Sequence, residues 1–242
     1  MTLNGQQVVV MGGSSGIGEA TAALFAAEGA EVVITGRDQE RLDRAVERID
    51  GKVTAHTVDA TDPGQVTSFF AETPEIDHLV LAVSSSSGAG PFAALDFADL
   101  QAGFEGKFWP YLRILQAALP KMRADGSVVF VTAASARAAL VGSSGLAAIN
   151  GALEAMVPPL AVELGPLRVN AVSPGVVDTP WWDNVPTEIR EELFRSATET
   201  LPVGRVGQPE DIARAILLLS TNRYITGTVL EAAGGVHLAT GR

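Results

Sequence analysis

Two groups of residues in this sequence carry chemistry, a turn rich in glycine and serine and a lone lysine set among apolar neighbours. The turn is Met11 to Gly18, MGGSSGIG, which follows the strand-like run Gln7-Val8-Val9-Val10 and opens a helix-like run from Glu19 to Phe25. A strand that turns sharply into a helix leaves backbone N–H groups at the helix start without partners. Small residues there let a diphosphate come close enough to accept those bonds, and the helix dipole favours its charge. Gly12, Gly16 and Gly18 supply the closeness, Ser14 and Ser15 add hydroxyl donors, and Ile17 stands between the last two glycines. The spacing is G-x-x-x-G-x-G rather than G-x-G-x-x-G. Glycines at a helix start also serve plain turns, so the reading needs support from the rest of the chain.

The lysine is Lys107. The spacing predicts one helix over 97–123, with Leu100, Phe104, Tyr111, Ile114 and Ala118 on one side and Lys107 in the middle of that side. An amine so placed must snorkel to water, find a partner, or give up part of its charge. Buried amines of this kind are frequent in active sites, and snorkelling at an oligomer surface is the plain alternative. Pro110 has no N–H for the carbonyl of Gly106, so a kink is expected beside Lys107, with the freed carbonyl able to hold a water.

The elements that must position these groups alternate along the chain. Strands are expected near 6–11, 31–35, 53–58, 77–82, 127–132, 167–173 and 228–231. Helices are expected near 16–28, 38–49, 63–72, 97–123, 144–164, 187–198 and 209–219. This alternation predicts an α/β fold, a single Rossmann-type doubly wound parallel sheet of seven strands with helices on both faces. Residues 1–242 read as one dinucleotide-binding domain. Pro158-Pro159 should bend or break the helix they interrupt.

In such sheets ligands sit beyond the carboxyl ends of the strands. Strand two ends Thr35-Gly36-Arg37-Asp38. An arginine at this place suits the 2′-phosphate of NADP, which makes NADP(H) the expected cofactor over NAD(H). Arg37 also reads as a solvated residue, and Asp38 as the cap of the next helix. Asp59, after strand three, reads either as an acceptor for the adenine amino group or as a turn residue. Strand four runs into the polar loop Ser84–Ser87. After strand six comes the rigid turn Ser173–Pro180, then the pair Trp181-Trp182, which suits a substrate lid over 181–205 or an oligomer contact.

Composition narrows the partners. The net charge of −11 argues against nucleic acid or an anionic membrane. The absence of cysteine excludes thiol chemistry. His56, His78 and His237 are too scattered to predict a metal site. No apolar span of membrane-crossing length and no signal peptide is read, so a cytoplasmic protein acting on a small molecule is expected.

Together these pieces resemble the short-chain dehydrogenase/reductase family over nearly the whole chain. Its Thr-Gly-x-x-x-Gly-x-Gly appears as Met11 to Gly18, and its adenine contact as Asp59-Ala60. Its Asn-Ala-Val-Ser-Pro-Gly-Val-Val-Asp-Thr run appears as Asn170 to Thr179. The tail matches through Pro202–Arg205, Gln208–Asp211, Ile225–Gly227 and Gly234-Gly235. The resemblance implies a nicotinamide cofactor, a homo-oligomer (tetramer or dimer), and further cofactor contacts at Ala82, Val83, Pro174, Gly175, Val177 and Thr179. It also exposes a departure. The family's Tyr-x-x-x-Lys falls on Leu146 to Asn150, its asparagine position on Lys107, and its serine position on Ala133, with Ser135 two residues on. The implied catalytic group is therefore Lys107, Asn150 and Ser135. Lys107 would supply the charge a phenol normally gives, Asn150 would bond the nicotinamide ribose, and Ser135 or the Ser143-Ser144 pair would orient substrate. Trp181, Trp182 and Leu146 suggest an apolar or aromatic substrate. The alternative is an NADP(H)-binding protein without redox activity, a sensor or partner subunit.

Overall fold

The computed structural model describes residues 3–238, apart from the side chain of Asn184. Short runs of β-branched residues form seven strands: β1 (Gln7–Met11), β2 (Glu31–Gly36), β3 (Lys52–Thr57), β4 (Ile76–Leu81), β5 (Met122–Val131), β6 (Arg168–Pro174) and β7 (Val229–Ala232). They form one sheet in the order β3-β2-β1-β4-β5-β6-β7, and every pairing is parallel. The helices are α1 (Gly16–Ala27), α2 (Gln39–Arg48), α3 (Pro63–Glu72), α4 (Phe97–Gly103), α5 (Trp109–Ala118), α6 (Ser144–Glu163), α7 (Thr187–Thr200) and α8 (Pro209–Thr221). This is the doubly wound Rossmann-type sheet the sequence predicts.

Alternate residues of each strand enter opposite cores, as pleating requires. Val8 and Val10 pack with Phe25 of α1, Leu42 of α2 and Ile216 of α8. Val9 and Met11 pack with Phe70 of α3, Tyr111 and Ile114 of α5 and Leu153 of α6. Covered on both faces, the sheet leaves its strand ends for ligands. Local caps place the helices on those ends. Asp38 caps α2 through Arg41 N at 3.0 Å, Asp62 caps α3 beside Pro63, and Gln208 and Asp211 form a capping box on α8.

Three expectations are corrected. The helix expected over 97–123 is two helices, α4 and α5, joined by a π-helical turn over Phe104–Phe108, and it ends at Ala118. Trp109 N bonds Phe104 O, five residues back. The extra residue in that turn absorbs the N–H that Pro110 lacks, where a plain kink was expected. Pro120 then turns the chain through Leu119–Lys121, and β5 starts at Met122, five residues before the expected strand.

The second correction is α6, which runs unbroken through Pro158 and Pro159. Both prolines are exposed, and the helix continues past them although the Glu154 and Ala155 carbonyls lose the N–H that a non-proline residue would offer. Third, this helix is long and apolar enough, by length and composition, to cross a membrane, although no such span was read from the sequence. Here it lies along the sheet with Ile149, Leu153 and Val157 in the core.

Candidate functional site

At the carboxyl end of β1, Gly12 N and Gly13 N donate to the Thr35 carbonyl at 3.1 and 2.9 Å. Gly12 and Gly16 have φ of 90° and 56°, backbone that side-chain-bearing residues avoid. A Cβ on Gly12 would stand 2.8 Å from the Ala82 carbonyl oxygen, and one on Gly18 only 2.0 Å from the Gly12 carbonyl oxygen. The turn therefore packs backbone on backbone against α1 and β4. Ser15 is the N-cap of α1 and makes no capping bond with its side chain, so its hydroxyl and the first amides of α1 are free for an anion. A Cβ on Gly16 would lie 3.2 Å from Thr179 Cγ2, and one on Gly36 would lie 3.1 Å from Ser14 Oγ. The turns after β6 and β2 thus close on the same spot. Gly175 likewise sits tight on Ala233, and Val177 is buried beside it. These observations fit a dinucleotide: a small-residue cradle with outward amides, bordered by the ends of β1, β2, β4 and β6.

The adenosine side is more open. Arg37 is exposed and Asp38 is the α2 cap. Asp59 Oδ1 accepts from Thr61 N at 2.9 Å and Thr61 Oγ1 at 2.7 Å, which is the turn reading of that residue. Ala60 beside it is buried. Ala82 N donates to Met11 O at 2.8 Å, and Val83 continues that edge.

Across the sheet, Lys107 sits on the inner side of the π-helical turn and is only 7% exposed. It does not snorkel. Its Nζ donates to Asn150 Oδ1 at 2.8 Å and to the Thr132 carbonyl at 3.3 Å. Asn150 Nδ2 in turn donates to the Leu146 carbonyl at 2.9 Å and reaches Ser135 Oγ at 3.4 Å. The three residues expected to carry chemistry thus form one hydrogen-bonded chain, drawn from the π-helical turn, α6 and the segment after β5. Burial pulls the Lys107 amine down to about 8, against the opposing charge of Glu154. Ser143 is turned away, its hydroxyl donated to the Leu140 carbonyl at 2.8 Å, and Ser144 is exposed.

The remaining walls are aromatic and apolar. Trp181 Nε1 points to the Ser85 carbonyl at 3.4 Å, bridging the turn after β6 and the loop after β4. Its ring meets Trp182 edge-on at 4.8 Å, and Trp182 meets Phe194 of α7 at 5.6 Å. Leu146, expected to stand at the tyrosine position, is half-buried.

Sequence reasoning missed two parts of this site. Tyr111 was read only as part of an apolar stripe. Its hydroxyl lies 2.7 Å from both the Leu81 and the Val131 carbonyl oxygens, with its single proton to donate to one of them, and so sits between the ends of β4 and β5. Burial pushes that phenol well above its ordinary range. Thr132, Glu154 and Arg137 were also missed. The available signal was Glu154 itself, a carboxylate four residues beyond Asn150 in an apolar helix.

A family model described as enoyl-(acyl carrier protein) reductase matches residues 12–237. The chain belongs to the short-chain dehydrogenase/reductase family. A 3-oxoacyl-[acyl-carrier-protein] reductase of Thermotoga maritima is 31% identical over 252 residues, spanning 98% of this chain and 99% of the relative. Galactitol 2-dehydrogenase (L-tagatose-forming) of Cereibacter sphaeroides is 32% identical over 248 residues, spanning 96% of this chain and 95% of the relative. The crystal structure of a small-chain dehydrogenase in complex with NADPH superposes with a TM-score of 0.84 at 29% identity. It covers 97% of this chain and 100% of that one. This is an oxidoreductase family that binds nicotinamide cofactors. That solved relative shares the fold described above.

Proposed function

We propose that this short-chain dehydrogenase/reductase is an NADP(H)-dependent oxidoreductase acting on a small apolar or aromatic carbonyl or alcohol, with Lys107 in place of the family's tyrosine. The observation that carries this reading is the inward Lys107 Nζ, held by Asn150 at 2.8 Å. Bound NADPH supplies the hydride. Carbonyl reduction then needs a proton or positive charge at the developing alkoxide. An amine titrating near 8 is mostly charged at neutral pH and releases its proton readily, which suits a general acid. Asn150 orients that amine and stands where the nicotinamide ribose would meet α6, and Ser135 extends the chain toward substrate. Cofactor contacts would come from Gly12, Ser14, Ser15, Gly16, Ile17 and Gly18 on the diphosphate. Arg37 would meet the 2′-phosphate, Asp59 and Ala60 the adenine, and Ala82, Val83, Pro174, Gly175, Val177 and Thr179 the nicotinamide half.

In this reading residues 1–242 work as one domain in the cytoplasm, with 181–205 as the lid and Trp181 as its contact to Ser85. Exposed Phe97, Val162 and Tyr224 favour a homo-oligomer. A second reading is an NADP(H)-binding protein without turnover. It is favoured by Leu146 at the acid's place and by the two acceptors that already engage Lys107 Nζ. A broad panel of ketones, aldehydes and enones, followed by loss of reduced-nicotinamide absorbance, separates the two. Oxidation of NADPH by any member supports the enzyme, and a blank panel with intact NADPH binding supports the binder.

A further inference from the structure

Glu154 follows Asn150 by one turn on α6 and is 7% exposed. Its Oε1 accepts from Thr132 Oγ1 at 2.8 Å, and its Oε2 from Arg137 Nε at 3.0 Å. The same Thr132 turns its backbone carbonyl to Lys107 Nζ. A buried carboxylate is costly unless its charge is matched; Arg137 pairs with this one directly, and Lys107 is joined to it through Thr132. Arg137 Nη1 continues to Glu231 Oε1 at 2.8 Å, and Glu231 Oε2 meets His237 Nδ1 at 2.7 Å. Carboxylate and basic side chains thus alternate from the buried amine to the surface beyond β7.

We propose that Glu154 is a positioning residue for Lys107: its buried charge keeps that amine in the ammonium form, and Arg137, anchored by Glu231, fixes the carboxylate in place. The remaining ionisable groups around the π-helical turn are occupied elsewhere. Tyr111 of α5, with its ring centroid 5.8 Å from Nζ, donates to a main-chain carbonyl. Glu105 of the turn itself pairs with Arg113 at 3.8 Å on the solvent side. Asp99 of α4 accepts from Gly88 N at 2.7 Å. Burial lowers the Lys107 amine, and Glu154 is the charge that opposes the fall. The assignment deepens the catalytic reading of Lys107 and rests on it for its use in turnover.

The chain has three lysines, Lys52, Lys107 and Lys121, so NMR of carbon-13-labelled lysine can follow each one through a pH titration of the cofactor-free protein. Lys107 is expected to titrate well below the other two. E154Q keeps the shape and a bond to Thr132 while removing the charge, and should lower the Lys107 midpoint by roughly one unit. E154D keeps the charge and should hold the midpoint near its native place. An unmoved midpoint in folded E154Q overturns the proposal. Should E154Q fail to fold, E154M serves, because it removes the charge with an apolar side chain of similar size and should likewise lower the midpoint, and an unmoved midpoint there overturns the proposal. The titration uses neither substrate nor NADPH, so it can fail while Lys107 still proves to be the acid. Equally, it can succeed on a protein that never turns over.

Discussion

At the carboxyl end of β1 the binding groups are backbone amides exposed by glycines, whereas beside β5 and α6 they are side chains that hold one another. The glycine turn is fixed by close packing on backbone and small groups: Gly18 against Gly12 within the turn, Gly12 against Ala82 and Gly16 against Thr179 across the strand ends. The Lys107 chain is fixed by contacts across 43 and 25 residues of sequence, to Asn150 and Thr132. The first design carries no formal charge and needs little support beyond close packing. The second keeps a titratable amine out of water and needs counter-charge and acceptors around it. Such a chain can therefore keep a cofactor cradle while its reactive groups change, because the two sides share a sheet and few side chains.

Among effects on stability and cofactor binding, the largest breaks the backbone side. Gly18→Ala would place a Cβ 2.0 Å from the Gly12 carbonyl oxygen, which drives α1 off the turn. Loss of roughly 3 kcal/mol in stability is expected, with a comparable loss in NADPH binding, about 100-fold. Urea unfolding and calorimetric titration read both. Unchanged affinity would show that the cradle is not built from these amides.

The next effect sharpens the side-chain half. The folded Lys107 amine titrates near 8 and the unfolded one near 10.5. Between those values the unfolded chain holds the extra proton, so native stability rises with pH, by about 3 kcal/mol across the window. The gain is complete above the unfolded value and is lost as pH falls through the folded one. Urea midpoints across this range should climb more steeply in the native protein than in Lys107→Met. Parallel curves would mean that the amine is not buried as described.

What was legible in the sequence follows the same divide. The seven strands and the glycine turn were readable because β-branched runs and glycine spacing are local signals. The Lys107 position was readable as an anomaly in an apolar stripe. Asn150 was grouped with it only through the family resemblance, and Thr132 and Glu154 went unread, since nothing near residue 107 announces them. The π-helical turn was hidden because Pro110 signals a disturbed helix without saying whether it kinks or gains a residue. The α6 prolines misled for a related reason, since they signal lost backbone bonds without saying whether the helix continues past them.

The smallest effect concerns Arg37, exposed at the end of β2. Arg37→Ala should weaken NADPH about ten- to a hundredfold, the weight of a charge-assisted contact, and leave NADH unchanged. Equal losses for both cofactors would remove the 2′-phosphate assignment and leave the diphosphate cradle standing.

The central claim is that an amine from the π-helical turn has taken over the work of an absent phenol. Lys107→Met, assayed side by side for kcat on an active substrate and for NADPH affinity, tests it most directly. Turnover should fall by about 10²–10⁴ while the NADPH dissociation constant stays at its native value. Native turnover from a chain without that amine would contradict the claim outright.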